Sequence, residues 1–229
     1  MNLKSLKERL INFFFHLLSV VMGIIITFTI QGRVNRLADR KNVRSALELV
    51  RSELVTNRED IGTMSDYLQQ ERYAAQYFLD HRYSIRKCPV DSINLHSGIL
   101  FADVSITMCQ DALELLKRSS IFQKIDDNLL SMKIIRAYDA CLSIATNVNR
   151  HIAVRDERFE KSVNDNTVRR LARKGNIDIC EFIQTDYGVY CVTCLSPQGA
   201  PSLYTDVSDL DEAILAIDKY LNPLKTKKK

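Results

Sequence analysis

The chain has 229 residues, of which 46% are hydrophobic and 26% are charged. This balance excludes a globally disordered chain, because there is enough apolar material for a packed core. With only 7 Gly and 4 Pro, the composition also excludes a collagen-like or low-complexity protein and favours long helices. The formal net charge of +4 is too small to indicate a nucleic-acid-binding protein by itself.

The first apolar segment predicts a helix that spans a membrane. Residues 10–30 contain no Asp, Glu, Lys or Arg, and a helix of this length extends roughly 31 Å, which matches the hydrocarbon core of a bilayer. The segment is longer than the apolar region of a cleaved signal peptide, and no small-x-small cleavage site follows it. Since no second segment of this kind occurs, we expect a single-pass anchor in the cell (inner) membrane, with the lipid bilayer as a partner.

Basic residues flank this segment on both sides. Lys4, Lys7 and Arg9 precede it, and five cations follow it. Those five are Arg33, Arg36, Arg40, Lys41 and Arg44. Lys and Arg favour the cytoplasmic side of a membrane, but the two counts are close enough to leave the side of the main domain open. We expect the five cations that follow the segment to bind lipid headgroups.

Small side chains form a stripe within the apolar segment. Ser19, Gly23 and Thr27 are spaced by four residues, which places them on one face of a helix. Stripes of this kind let two helices approach closely in lipid, where association depends on packing. The pattern predicts a homodimer through this face. The alternative is that small residues, which are common in apolar helices, share a face by coincidence.

A long helix with an apolar seam is predicted after the membrane segment. Residues 31–82 contain no Pro, and their apolar side chains recur at alternating spacings of three and four. The seam consists of Val43, Leu47, Val50, Leu54, Ile61, Met64, Leu68, Ala75 and Phe78, with Asn57 and Glu71 at its two polar positions. This 3.5-residue repeat is typical of helices that pack side by side. The seam packs either against later helices of the same chain or, as a coiled coil, against a second copy.

The next part of the chain predicts a loop followed by a helix. Residues 83–98 contain Pro89 among several turn-forming residues, so we expect a loop there. Residues 99–120 predict an amphipathic helix capped by Asp103 or Ser105. Its apolar face comprises Ile106, Cys109, Ala112, Leu113 and Leu116.

Two more helices are expected beyond this point. One begins at Asp127 or Asn128 and continues past Ile152, and the other is a polar helix over residues 164–174. The polar helix carries the basic cluster Arg169, Arg170, Arg173 and Lys174. Such a cluster is typical of a solvated face, and no aromatic side chains that could stack on bases are interleaved with it. We therefore do not expect nucleic acid as a partner.

The motifs up to residue 146 resemble a bacterial family of uncharacterised single-pass membrane proteins, known only as a domain of unknown function. The first group of matching residues comprises Gly23 in the anchor and then Leu49, Ser52, Glu53, Leu54 and Asn57. The second group comprises Ala112, Leu113, Leu115, Leu116, Lys117, Ser119, Ile125, Asp127, Leu129, Leu130 and Tyr138. The chain departs from the family pattern at Ser120, where Gly is usual, and at Ala137, where an aromatic residue is usual. The resemblance implies an anchored helical domain and supplies no catalytic residue.

The sequence pattern changes after the polar helix. Residues 177–184 and 189–195 are rich in β-branched, aromatic and Cys residues, and residues 185–188 have the composition of a turn. These features predict a β-hairpin. A final amphipathic helix is expected to begin near Ser208 and to end at Asn222, followed by a disordered basic tail.

No catalytic or metal site is predicted. Cys109 and Cys141 fall on apolar helix faces, where a thiol behaves as a small hydrophobic group. Cys191 and Cys194 have the spacing of a redox or zinc half-site, but on a strand residues three apart face opposite sides. The acidic group near the last helix is explained by the start of that helix; it comprises Asp206, Asp209, Asp211 and Glu212.

Together these patterns predict a mainly α protein with one N-terminal transmembrane helix, a long juxtamembrane helix packed in a helical bundle, and a small C-terminal β-hairpin. The expected divisions are an anchor, a juxtamembrane helix, a helical domain, and a final segment with hairpin, helix and tail, over residues 1–32, 33–82, 83–174 and 175–229. We expect a membrane-anchored interaction or scaffold protein that binds an unidentified protein partner, with no enzymatic activity and no cofactor. The alternative is a membrane-tethered sensor or effector that transmits a signal from the distal domain to the membrane helix.

Overall fold

The computed structural model describes residues 3–164, 179–199 and 205–222, with side chains described over 18–161, 179–199 and 205–222. Within these ranges the chain forms seven α-helices, two short 3-10 helices and no strand. The α-helices are α1 Leu3–Asp80, α2 Val90–Leu100, α3 Asp111–Arg118, α4 Asn128–Asn164, α5 Ile179–Phe182, α6 Asp186–Leu195 and α7 Ser208–Leu221. The predicted basic cluster at 169–174 and the predicted tail lie outside the described residues.

Helix α1 is uninterrupted and carries both the apolar segment and the seam. Its 78 residues extend about 117 Å, since an α-helix rises ~1.5 Å per residue. The described side chains of the apolar segment, from residue 18 to residue 30, are all exposed. From Val43 onward, every predicted seam residue is buried, including Asn57 and Glu71. The predicted long helix is therefore confirmed, and no break separates it from the apolar segment.

The seam of α1 packs against later helices of the same chain. Its first part, residues 43–68, shares one hydrophobic core with α3, α4 and α7. Its last part, at Ala74, Ala75 and Phe78, shares a second core with α2, α5 and α6. Because both stretches of the seam are covered from within the chain, the seam does not form a coiled coil with a second copy in this conformation.

Three arginines on α1 bind the antiparallel helix α7. Arg44, Arg51 and Arg58 are spaced by seven residues, so they lie on one face of α1. Arg44 donates to the carbonyl oxygen of Leu221 at 3.3 Å, Arg51 pairs with Asp218 at 2.6 Å, and Arg58 pairs with Asp211. Exposed ion pairs of this kind contribute only ~0.2–1 kcal/mol each, so the apolar face of α7 supplies most of the packing energy. That face consists of Leu210, Ala213, Ile217 and Leu221.

Two predictions for residues 83–120 are wrong. The expected loop contains a helix, because Pro89 stands before the first turn of α2, where its missing N–H costs no hydrogen bond. Of the expected helix over 99–120, residues 99 and 100 belong to the end of α2, and the rest is helical only in α3, which begins at Asp111. Residues 102–110 are not helical, and burial alternates along them around the buried Ile106. This period of two is that of an extended segment.

The predicted β-hairpin is also wrong, because residues 179–182 and 186–195 are helical. The four residues predicted as a turn begin α6 instead: the Oγ1 of Thr185 accepts a hydrogen bond from the N–H of Gly188 at 2.9 Å, which caps the helix. The buried residues follow the spacing of a helix, at Gly188, Cys191, Val192 and Leu195.

Candidate functional site

The first candidate site is the exposed apolar surface of α1. No residue in its most apolar 18-residue window is buried within the described structure, and this helix is long and apolar enough to cross a membrane. Individual side chains are strongly exposed, such as Leu18 at 60% and Phe28 at 72%. Soluble monomers rarely expose contiguous apolar patches larger than a few hundred Å², so a surface of this kind indicates contact with a membrane or with another protein.

The predicted small-residue stripe lies on this exposed surface. A Cβ placed at Gly23 would have no atom within 4 Å, and the hydroxyl of Thr27 donates to the Gly23 carbonyl oxygen at 2.8 Å. This bond satisfies the hydroxyl within the helix, as a lipid environment requires. Ser19 is exposed on the same face. Packing of a second helix on the stripe stays a prediction.

The structure separates the five predicted headgroup-binding cations into two sets. Arg36, Arg40 and Arg44 line a cavity of about 660 Å³ at the end of the helical domain nearest the apolar segment. Arg33 and Lys41 are exposed and are not among its lining residues. Lys124 and Tyr220 complete the cavity from other elements, and sequence analysis missed both because they are distant along the chain.

A buried charge cluster ties α1 to α4. The guanidinium of Arg155 and the carboxylate of Glu71 are 3.0 Å apart, and their side chains are 2% and 1% exposed. The guanidinium also donates to the phenol oxygen of Tyr67 at 2.7 Å and to the carbonyl oxygen of Ala102 at 2.8 Å. The second oxygen of Glu71 contacts the Nε2 of His151 at 2.8 Å.

These contacts satisfy the charges of the cluster, which indicates a structural tie between helices. Burial raises the pKa of the Tyr67 phenol, so it stays a neutral hydrogen-bonding group at ordinary pH. Glu71 carried a signal in the sequence, because a carboxylate at an apolar seam position needs a buried cationic partner. Its partner Arg155 could not be chosen from the 32 Lys and Arg residues of the chain.

Two asparagines hold the extended segment 102–110 between α1 and α4. The side chain of Asn57 accepts from the N–H of Cys109 and donates to its carbonyl oxygen, both at 2.9 Å. Asn149 makes the same pair of bonds to Ile106, at 3.0 and 2.8 Å. Each amide replaces the backbone partner that a neighbouring strand would supply.

The cysteines differ from prediction in two places. Cys109 is exposed rather than buried, since it belongs to the extended segment. Cys191 and Cys194 share one helix, so they do not face opposite sides as the strand prediction required. Burial raises the pKa of the Cys191 thiol, which disfavours the reactive thiolate. Cys141 is buried as predicted, and burial raises its pKa to about 11.

Three of the four carboxylates in the acidic group near α7 have protein partners, and the fourth, Asp209, is exposed. Asp211 pairs with Arg58, Glu212 pairs with Lys133 at 3.0 Å, and Asp206 accepts from the N–H of Ser208 at 2.9 Å. In the parts of the chain that the structure describes, no group of three or more His, Cys, Asp or Glu side chains is placed to hold a metal ion.

Comparison with protein-family models, with characterised proteins and with solved structures gives no match to this chain. The resemblance to the bacterial family of single-pass membrane proteins therefore stays a prediction.

Proposed function

We propose that this protein is a single-pass membrane protein of the cell (inner) membrane whose helical domain serves as an interaction scaffold. One observation carries the proposal: α1 has an exposed apolar segment and a buried seam on the same continuous helix. A bilayer covers the first part, and the rest of the chain covers the second.

The continuity of α1 gives the scaffold a defined height above the bilayer. Val43, the first seam residue, lies about 20 Å beyond Ile30 at ~1.5 Å per residue, with no flexible linker between them. The bound partner is therefore held at a fixed distance from the membrane.

A membrane-tethered sensor is the second candidate, and the same helix favours it. The apolar segment and both hydrophobic cores lie on α1, so a change in either core reaches the membrane segment through one rigid element. The sensor predicts that Phe78→Ala, in the second core, changes the efficiency of disulfide cross-linking between Gly23→Cys copies. The scaffold predicts that Phe78→Ala leaves this cross-linking unchanged.

Membrane insertion is tested with matched pairs of arginine substitutions. We expect the full-length chain to stay in the membrane pellet after an alkaline carbonate wash. The double variant Leu18→Arg/Ile24→Arg should be largely released, because each arginine near the centre of a membrane helix raises the free energy of insertion by ~2.5–3.5 kcal/mol. The control, Leu49→Arg/Leu115→Arg, changes two similarly exposed apolar residues of the helical domain and should stay in the pellet. Release of the unmodified chain by carbonate would contradict the proposal.

A further inference from the structure

The cavity near the apolar segment collects cations from separate parts of the chain. Its charged lining consists of Arg36, Arg40, Arg44 and Lys124 against the two carboxylates Asp39 and Asp126. The three arginines are spaced by four residues on α1, so they form one stripe along the cavity wall. Lys124 comes from the 3-10 helix Phe122–Lys124. The cavity is therefore built by tertiary packing and carries a positive excess.

Protein partners occupy only part of this charge. Lys124 pairs with Asp39 at 2.7 Å, and Arg44 pairs with Glu48 at 3.0 Å. Arg36 uses its Nε to donate to the carbonyl oxygen of Gly32 at 3.1 Å, which leaves its terminal nitrogens available. Arg40 makes no hydrogen bond or ion pair with any residue that the structure describes. Two guanidinium groups can therefore receive an anion in the cavity.

The arginine stripe is aimed at the lipid headgroups. Side chains on a helix point back toward its amino-terminal end, and the bond from Arg36 to Gly32 follows this direction. The Cα atoms of Arg36 and Arg40 lie about 9 and 15 Å beyond Ile30, and each guanidinium reaches back by roughly one helical turn. The headgroup layer occupies roughly the first 5–7 Å beyond the hydrocarbon core. The guanidinium of Arg36 thus lies within this layer and that of Arg40 lies one helical turn farther out, so a phosphate that contacts both lies at the outer edge of the layer.

We propose that this cavity binds the phosphate group of an anionic phospholipid, with Arg36 and Arg40 as its direct ligands; this inference rests on the proposed membrane anchoring. Two guanidinium groups one turn apart match a phosphate, because each donates charge-assisted hydrogen bonds to its oxygens. Tyr220 supplies a phenol beside them. Burial raises the pKa of this phenol, so it remains a hydrogen-bond donor at ordinary pH.

The test compares two neighbouring cations that the structure places differently. Arg40 lines the cavity and Lys41 does not, so Arg40→Gln and Lys41→Gln remove the same charge at nearly the same height. The full-length variants are reconstituted in nanodiscs of phosphatidylcholine with phosphatidylglycerol, and retained phosphatidylglycerol is measured by native mass spectrometry. We expect retention to weaken about tenfold or more in Arg40→Gln, the range of a lost charge-assisted hydrogen bond. In Lys41→Gln it should weaken about fivefold or less, as for a general surface charge.

Three outcomes would overturn parts of the assignment separately. Equal losses in both variants would mean that the basic surface attracts lipids without a site. If inorganic phosphate, added to nanodiscs of phosphatidylcholine alone, raises the unfolding temperature as much as phosphatidylglycerol does, the ligand is a soluble anion and the lipid assignment is wrong. Failure of the unmodified chain to float with vesicles of phosphatidylcholine alone would instead overturn the membrane anchoring itself.

Discussion

The carboxylate of Glu71 on α1 and the guanidinium of Arg155 on α4 face each other at 3.0 Å, and both side chains are almost completely buried. They are 84 residues apart in sequence. Tyr67 and Ala102 bind the same guanidinium, so this pair fixes the position of α4 against the carboxyl-terminal part of α1 and the end of α2. Buried charges are costly to separate from water, so the pair persists only because its hydrogen bonds are complete.

Removing one partner of this pair should destabilise the helical domain. We expect Arg155→Leu to lower the free energy of unfolding by ~3–5 kcal/mol, because it leaves the Glu71 carboxylate buried without its main cation. Arg150→Leu, a substitution of an exposed arginine on the same helix, is the control and should cost much less. Urea unfolding of the full-length chain in detergent measures both; equal effects would show that the pair has no special role.

Removing both charges of the pair tests the same interaction. In Glu71→Leu/Arg155→Leu no buried charge is left unpaired at these two positions, so the double variant should be more stable than Arg155→Leu alone. Additive losses in the double-mutant cycle would contradict the electrostatic explanation.

Gly188 should not tolerate a methyl group. A Cβ at this position would lie 2.0 Å from the carbonyl oxygen of Phe182, where α6 begins against α5. We expect Gly188→Ala to destabilise the second core by ~1–3 kcal/mol or more, since backbone atoms must move. Gly62→Ala is the control: it lies on the exposed side of α1 with no atom within 4 Å, and it should stabilise the chain by ~0.5–1 kcal/mol. Thermal unfolding compares the two, and similar shifts would refute the close approach.

Asn57 should determine how the extended segment is held. Asn57→Ala removes both bonds to the backbone of Cys109, and each buried polar group left unpaired costs ~1–3 kcal/mol. We expect faster amide hydrogen exchange at residues 106–110 and faster alkylation of the Cys109 thiol. Thr56→Ala, which removes only a bond to the carbonyl oxygen of Ser52, should change neither rate. Unchanged exchange in Asn57→Ala would mean that other contacts hold the segment.

The small-residue stripe predicts the face of a membrane-helix dimer. We expect Gly23→Cys to give disulfide-linked dimers in native membranes, because small residues let two helices approach closely. Ile25→Cys lies on the opposite side of the helix, about 200° away, and should give few. Cross-linking at both positions, or at neither, would remove the dimer from the proposal.

Long periodic patterns made the main elements of this fold predictable. The apolar segment and the seam of α1 needed no tertiary information, because their spacing extends over many turns and any packing partner selects the same face. The apolar repeat also identified two buried polar residues, Asn57 and Glu71, because both occupy seam positions. The basic residues after the apolar segment were visible as well, but only the fold separates Arg40 from Lys41.

Short segments were decided by packing. Residues 186–195 are β-branched and aromatic enough to form a strand, yet a cap at Thr185 and a close contact at Gly188 make them a helix. Residues 102–110 were predicted as helix because Ile106 and Cys109 share a helical spacing with the apolar face of α3. The segment also alternates apolar and polar residues, and the amides of Asn57 and Asn149 hold it extended. In such short segments the free-energy difference between the helical and the extended conformation is smaller than the contribution of a few buried hydrogen bonds and apolar contacts. The sequence alone therefore determined the long helix α1 with its apolar end and the later helices α4 and α7, whereas tertiary contacts decided the short segments between them, because the local preferences of those segments are too weak to select one conformation.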